Sequence, residues 1–289
     1  MIVLVERVSW PILIAGAIVA LVLSLSVHAV MIQGLHVPYP SNFPYTGWPR
    51  LPDGILSVLA AIYLSAHLPE RHRKSSFRLR CTVMFLFLAT IHEDLFRGPF
   101  MEFINLSNLT LYPFVDNIPK LIPLAVIAIG VESWTRRGTG VTANVIAAVV
   151  IAGGVSLVVQ PLANYAFAGV IEFTGAREGH QRYGLPYDWH ILLPAYLTFI
   201  EPVIAALVIG LAVRNKLPPA PLTRFGITAA LILALKGPVF APLLNVHYAN
   251  TNAITAILSY AQFTFETMTL GILTALTLHI GFMASKGTA

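Results

Sequence analysis

The stretch Ile91 to Phe103, IHEDLFRGPFMEF, gathers His92, Glu93, Asp94, Arg97 and Glu102 directly after an apolar run. Hydrocarbon does not solvate charge, so these residues need partners or water. Glu93 and Arg97 stand four apart with the acid first, the favourable order for an ion pair within a helix. His92 and Asp94 point to neighbouring faces and are left for other partners. Three more charges, Glu201, Lys236 and Glu266, sit inside apolar segments. A carboxylate held away from bulk water can serve as a general base or as a proton carrier. A lysine or arginine beside it can stabilise developing negative charge. Glu201, Glu266, Lys236, Glu93 and Arg97 are therefore the candidate reactive groups.

Histidine widens the chemistry. Six of the nine histidines, His28, His36, His92, His180, His190 and His247, map to one end of the apolar segments. With Asp94 and Asp188 they offer ligands, and His92, Asp94 and His190 are the candidate metal set. A metal ion or haem is the cofactor expectation, although no spacing here is diagnostic of a ligand box.

The elements that must position these groups are long apolar helices. The 289 residues are 56% hydrophobic and 11% charged, against roughly 25% charged in soluble domains. Mean hydropathy is +0.75. So few charges cannot cover a soluble fold of this size, and a bilayer is the matching solvent. Eight segments approach spanning length: Ser9 to Ile32, Gly54 to Leu68, Cys81 to about Phe96, Ile118 to Trp134, Val141 to about Gln160 with a continuation toward Phe173, Trp189 to Val213, Phe225 to Asn245, and Ala253 to about Ala284. The second and third are short. The first follows Arg7, is too long for a signal-peptide core and has no clear cleavage site, so it reads as a retained helix.

Charge sets the orientation. Arg71, Arg73, Lys74, Arg78 and Arg80 fall between the second and third segments. Arg136 and Arg137 follow the fourth, and Arg214, Lys216 and Arg224 follow the sixth. With Arg7 and Lys286 these make twelve of the eighteen basic residues on one side. The positive-inside rule assigns that side to the cytoplasm. The intervening loops are aromatic and rich in proline. The expected fold is thus all-α: one polytopic domain over residues 1–289, about eight transmembrane helices, both termini cytoplasmic, in a cell membrane of the bacterial inner-membrane type. The net charge of +5 is explained by these retained basic loops. Its clusters lack interleaved aromatic residues, which argues against nucleic acid as a partner. Lipids are the expected partners, with other membrane subunits as a further option. The lone Cys81 excludes an intrachain disulfide.

At about 1.5 Å per residue, Lys236, Glu201 and Glu266 lie roughly 17, 18 and 20 Å into their segments, near the midplane of a core about 30 Å thick. Each would cost about 2.5 to 3.5 kcal/mol facing lipid. They are expected to face inward, with Lys236 paired to Glu201 or Glu266. His190, Thr198 and Glu201 share one helical face, as do Ser259, Gln262, Glu266 and Thr269. Pro202 follows Glu201, and Gly237-Pro238 follows Lys236, so both helices should break beside their charges. The expected site is an outward-opening polar cavity, Glu201, Lys236 and Glu266 at its floor and His92, Glu93 and Arg97 at its mouth. Gly98-Pro99 should stop the third helix ahead of a short re-entrant or interfacial segment. A Gly-Pro echo between LFRGPF and LKGPVF hints at a repeat of four plus four helices, divided as 1–139 and 140–289.

The string HEDLFRG resembles the first motif of the CAAX-type intramembrane endopeptidases in Glu93 and Arg97. His92 stands where that family has its first glutamate, and no histidine lies between His92 and His180. The resemblance covers about seven residues, and no function is carried over from it. The expected function is a membrane enzyme acting on a lipid-linked or small apolar substrate; the alternatives are an ion-coupled secondary transporter and a haem-binding or structural subunit of a membrane complex.

Overall fold

The computed structural model describes residues 8–40, 43–44, 47–105, 111–137, 140–175 and 187–287. They are helical throughout, with no strand among them. The helices are α1 (Trp10–Ala29), α2 (Leu51–His67), α3 (Glu70–Arg73), α4 (Phe77–Ile91), α5 (Arg97–Asn105), α6 (Tyr112–Thr135), α7 (Val141–Gly154), α8 (Gln160–Gly175), α9 (Trp189–Thr198), α10 (Ile200–Val213), α11 (Pro221–Lys236), α12 (Ala241–Leu244) and α13 (Ala253–Gly287). A π-helical turn, Val30–Gly34, extends α1, and another, Val155–Val159, joins α7 to α8. Each apolar segment of the sequence thus has its helix or helix pair.

The chain is an integral membrane protein by the length and composition of its helices. Five are long and apolar enough to cross a bilayer: Trp10–Gly34, Tyr112–Thr135, Val141–Thr174, Trp189–Lys216 and Ala253–Ser285. A sixth is made if Pro221–Lys236 and Ala241–His247, bent by 45°, form one span. The expected count of eight is therefore not met by length alone. The shortfall lies in α2, with 17 residues, and α4, with 15. At 1.5 Å per residue these reach only about 25 and 22 Å.

Apolar side chains face both ways, as a bundle in hydrocarbon requires. Val58, Met84, Leu88, Ile209, Ile232 and Leu270 are fully enclosed, while Ile14, Ile18, Val150 and Leu197 lie on the outside. The central helices are α2, α4, α10 and α11, wrapped by α6 and α13. Helix α1 runs against α13: the Ser9 amide donates to the Gly281 carbonyl at 3.1 Å. Gly271 lets α13 approach α11 so closely that a Cβ there would lie 2.8 Å from the Ala229 carbonyl oxygen.

Candidate functional site: a buried ionic cluster between two broken helices

Helix α4 stops at a Schellman turn. The Asp94 amide donates to the Ala89 carbonyl at 2.9 Å, and the Glu93 amide to the Thr90 carbonyl at 3.2 Å. The residue at the left-handed position of this turn is usually glycine. Here it is Glu93, with φ 68°. A side chain in that region costs about 1 to 2 kcal/mol. The carboxylate is held at this strained position by its contacts.

Those contacts are two cations. Arg97 Nε donates to Glu93 Oε2 at 2.5 Å, the pair expected from the sequence. Lys236 Nζ lies 2.8 Å from Glu93 Oε1, an ion pair whose angle falls outside hydrogen-bond geometry. Lys236 also donates to Glu266 Oε1 at 3.1 Å. The cluster thus alternates Arg97, Glu93, Lys236 and Glu266, two acids and two bases. Phe199 lies under both cations, its ring centre 5.2 Å from the Arg97 guanidinium carbon and 5.6 Å from Lys236 Nζ. Arg97 Nη1 completes its set on the Ala195 carbonyl and, at 2.8 Å, on Thr198 Oγ1.

Glu201 is next to this cluster but bonded elsewhere. Its carboxylate accepts from the backbone amides of Leu95, Phe96 and Arg97, at 2.5 to 3.2 Å. These are the free N–H groups that open α5, where the helix dipole favours an anion. Lys236 therefore pairs with Glu266, one of the two partners expected, and with Glu93, which was not expected. The second break is built alike. Helix α11 ends at Lys236, and Gly237 to Phe240 carry the chain into α12. The amides of Val239, Phe240 and Ala241 donate to the Asp53 carboxylate at 2.7, 2.8 and 2.9 Å. Ser57 Oγ covers the Leu235 carbonyl at 3.1 Å, and Thr264 Oγ1 donates to the Pro238 carbonyl. Proline and glycine open this helix, and neighbouring side chains satisfy the freed backbone groups.

The expected metal ligands do not converge. Among the described residues no group of three His, Cys, Asp or Glu side chains is arranged to hold a metal ion. The His92 ring faces the Leu235 carbonyl. His190 sits at the start of α9, 3.8 Å from Asp188. Asp94 is engaged through its backbone carbonyl, which accepts from Asn117 Nδ2. His180 lies outside the described residues. The sixth segment is interrupted at Phe199, in the turn before Pro202, which has no amide to give the Thr198 carbonyl, as expected beside Glu201. Two cavities are lined by other side chains, one around Arg214 and Arg224, the other along Gly130 and Gly154.

Three polar groupings were missed by sequence reasoning. Glu132, within α6, meets Arg80 Nε at 3.2 Å, Ser65 Oγ at 2.7 Å and His72 Nε2 at 3.8 Å. Lys120 meets Asp116 at 2.7 Å and Glu102 at 3.1 Å. Arg50 donates to Tyr260 Oη and, at 2.8 Å, to the Pro44 carbonyl. The signal for the first was present, since Glu132 is an acid inside an otherwise apolar run. Compared with known families, curated proteins and solved structures, the chain matches none.

Proposed function

We propose that this protein is an ion-coupled secondary transporter of the cell membrane, with the Glu93–Lys236–Glu266 tie as the element that responds to the coupling ion. The carrying observation is that this buried tie links the breaks of two discontinuous helices. Broken helices around buried charge recur where transporters bind and gate. The Glu201 carboxylate supports the same reading over catalysis at the membrane surface. Glu201 spends its lone pairs on three amides, so it is not free as a general base.

The charge balance suggests how coupling works. Two acids and two bases make the cluster neutral. A proton or a sodium ion arriving at Glu93 or Glu266 weakens the hold on Lys236, and the break of α11 is released from that of α4. A ligand shifts such an equilibrium only by its different affinity for the tied and untied states. Here that difference is the ion pair itself.

The test is reconstitution into liposomes with a pH dye inside and an imposed pH gradient. Sodium, lithium and potassium salts, an amino-acid mixture and a nucleoside mixture are added in turn. At least one addition should dissipate the gradient in wild-type vesicles and not with Glu266→Gln. If none does so above empty liposomes, or if Glu266→Gln is as active as wild type, transport through this cluster is wrong.

A further inference from the structure

We infer that the chain is a tandem pair of four-helix units, roughly 8–137 and 140–287, related by a two-fold pseudo-axis along the helix direction, with the ionic tie joining the units at that axis. Helix α6 carries the register. All nine of its buried residues land on buried residues of α13 under a shift of 143 (Asn117 on Tyr260, Pro123 on Glu266, Val131 on Thr274). Exposed Ile129 lands on exposed Ile272. A shift of 144 carries the first residue of α4, Phe77, onto the first of α11, Pro221. It also carries buried Met84, Leu88 and Ile91 onto buried Thr228, Ile232 and Leu235. The same shift takes four of the six buried residues of α2, Val58, Ala61, Ile62 and Ser65, onto buried Pro202, Ala205, Ala206 and Ile209 of α10, and the other two, Ala60 and Leu64, onto exposed Ile204 and Val208.

The neighbour relations repeat as well. Helix α4 packs on α6 as α11 packs on α13, and α6 on α8 as α13 on α1. Across the units, α2 meets α11 as α10 meets α4. The caps are reciprocal. Glu201 of the second unit caps α5 of the first, and Asp53 of the first caps α12 of the second. The capped amides, Leu95 to Arg97 and Val239 to Ala241, are 144 apart as a two-fold axis requires, while the capping acids Asp53 and Glu201 are 148 apart, one helical turn out of register. A unit of four spanning segments returns the chain to its starting side, so the second copy is parallel to the first. The Gly-Pro echo is not in this register: Arg97 and Lys236 differ by 139 positions. Its glycines and prolines fall in the first turn of α5 and in the break after α11.

The units differ where the chemistry lies. His92 occupies the place of Lys236, and Pro123 that of Glu266. Under the transport reading the units are the bodies that rock about the axis, a step that rests on that reading; the repeat does not.

The register is tested by moving the ion pair. His92→Lys should lower the melting temperature, and Pro123→Glu should lower it relative to Pro123→Gln. The two together should recover about 3 °C or more of the summed loss, because the new ammonium and carboxylate meet. Leu88→Lys, one turn away, should give Pro123→Glu no such rescue. A double variant no better than its worse parent, including one that fails to accumulate, overturns the register, as does equal rescue by Leu88→Lys. Spin labels on the lipid-facing side give an independent readout that spares the interior. Pairs at Leu86 and Ile129 and at Ala230 and Ile272 should report the same distance. A difference beyond one helical turn, about 5.4 Å, overturns the repeat. Neither readout depends on transport, so their outcome is separable from that of the liposome assay.

Discussion

Glu93 meets two demands at once. It occupies a left-handed backbone position and bridges two buried cations. These demands conflict, and substitution separates them. Glu93→Gly relieves the backbone by about 1 kcal/mol but leaves two cations sharing Glu266; losing one partner of a buried pair costs about 3 to 5 kcal/mol. The net expectation is a loss of about 2 kcal/mol or more in detergent unfolding. Glu93→Ala should be worse than Glu93→Gly by about 1 kcal/mol. A glycine variant more stable than wild type would show that the carboxylate contributes nothing. The pairing of Glu93 with Arg97 was legible from their spacing, although it forms across the turn between α4 and α5 and not within a helix. The pairing with Lys236 was not, since it joins residues 143 positions apart.

At the scale of elements, two helix starts depend on acids from distant helices. Glu201→Gln keeps the shape of the side chain and removes its charge from the start of α5. Asp53→Asn does the same at α12. Each is expected to cost about 1 to 2 kcal/mol, read by thermal unfolding, with faster hydrogen exchange at Leu95 to Arg97 or at Val239 to Ala241 respectively. Protection unchanged at those amides would contradict the caps. Helix contact is set by Gly271. Gly271→Ala forces a methyl against the Ala229 backbone and should cost about 1 to 3 kcal/mol. Gly98-Pro99 was expected to stop the third helix ahead of a segment over Phe100 to Pro119; α4 instead ends at Ile91, and Gly98 and Pro99 lie in the first turn of α5, where proline is tolerated. The apolar segments followed from composition, and the interruption at Phe199 lies in the turn that Pro202 marks.

For the whole molecule, pH tests the polar end where α5 meets α6. Burial pushes the Glu102 carboxyl up to about 7 from its ordinary 4.5, opposed by Lys120 and assisted by Asp116. The folded state then binds this proton more tightly than the unfolded state. Its contribution to stability is complete below pH 4.5 and is lost as pH rises through about 7. Glu102→Gln should flatten the stability profile across that window. A wild-type profile already flat there would refute the shift.

That the chain is helical, lies in a membrane and buries Lys236, Glu201 and Glu266 was legible from its residues alone. Those conclusions rest on local quantities, namely hydropathy, spacing and the cost of charge in hydrocarbon. Gly237-Pro238 also marked the place where α11 would fail, since a ring that lacks an amide acts on its own turn. Packing across the bundle settles which acid meets which base, sends Glu201 to a helix start in place of Lys236, and keeps the expected metal ligands apart. Helices have similar apolar surfaces and many ways to pack. The choice among them falls to groups that must find a partner across the bundle, and their distance along the chain carries no record of it.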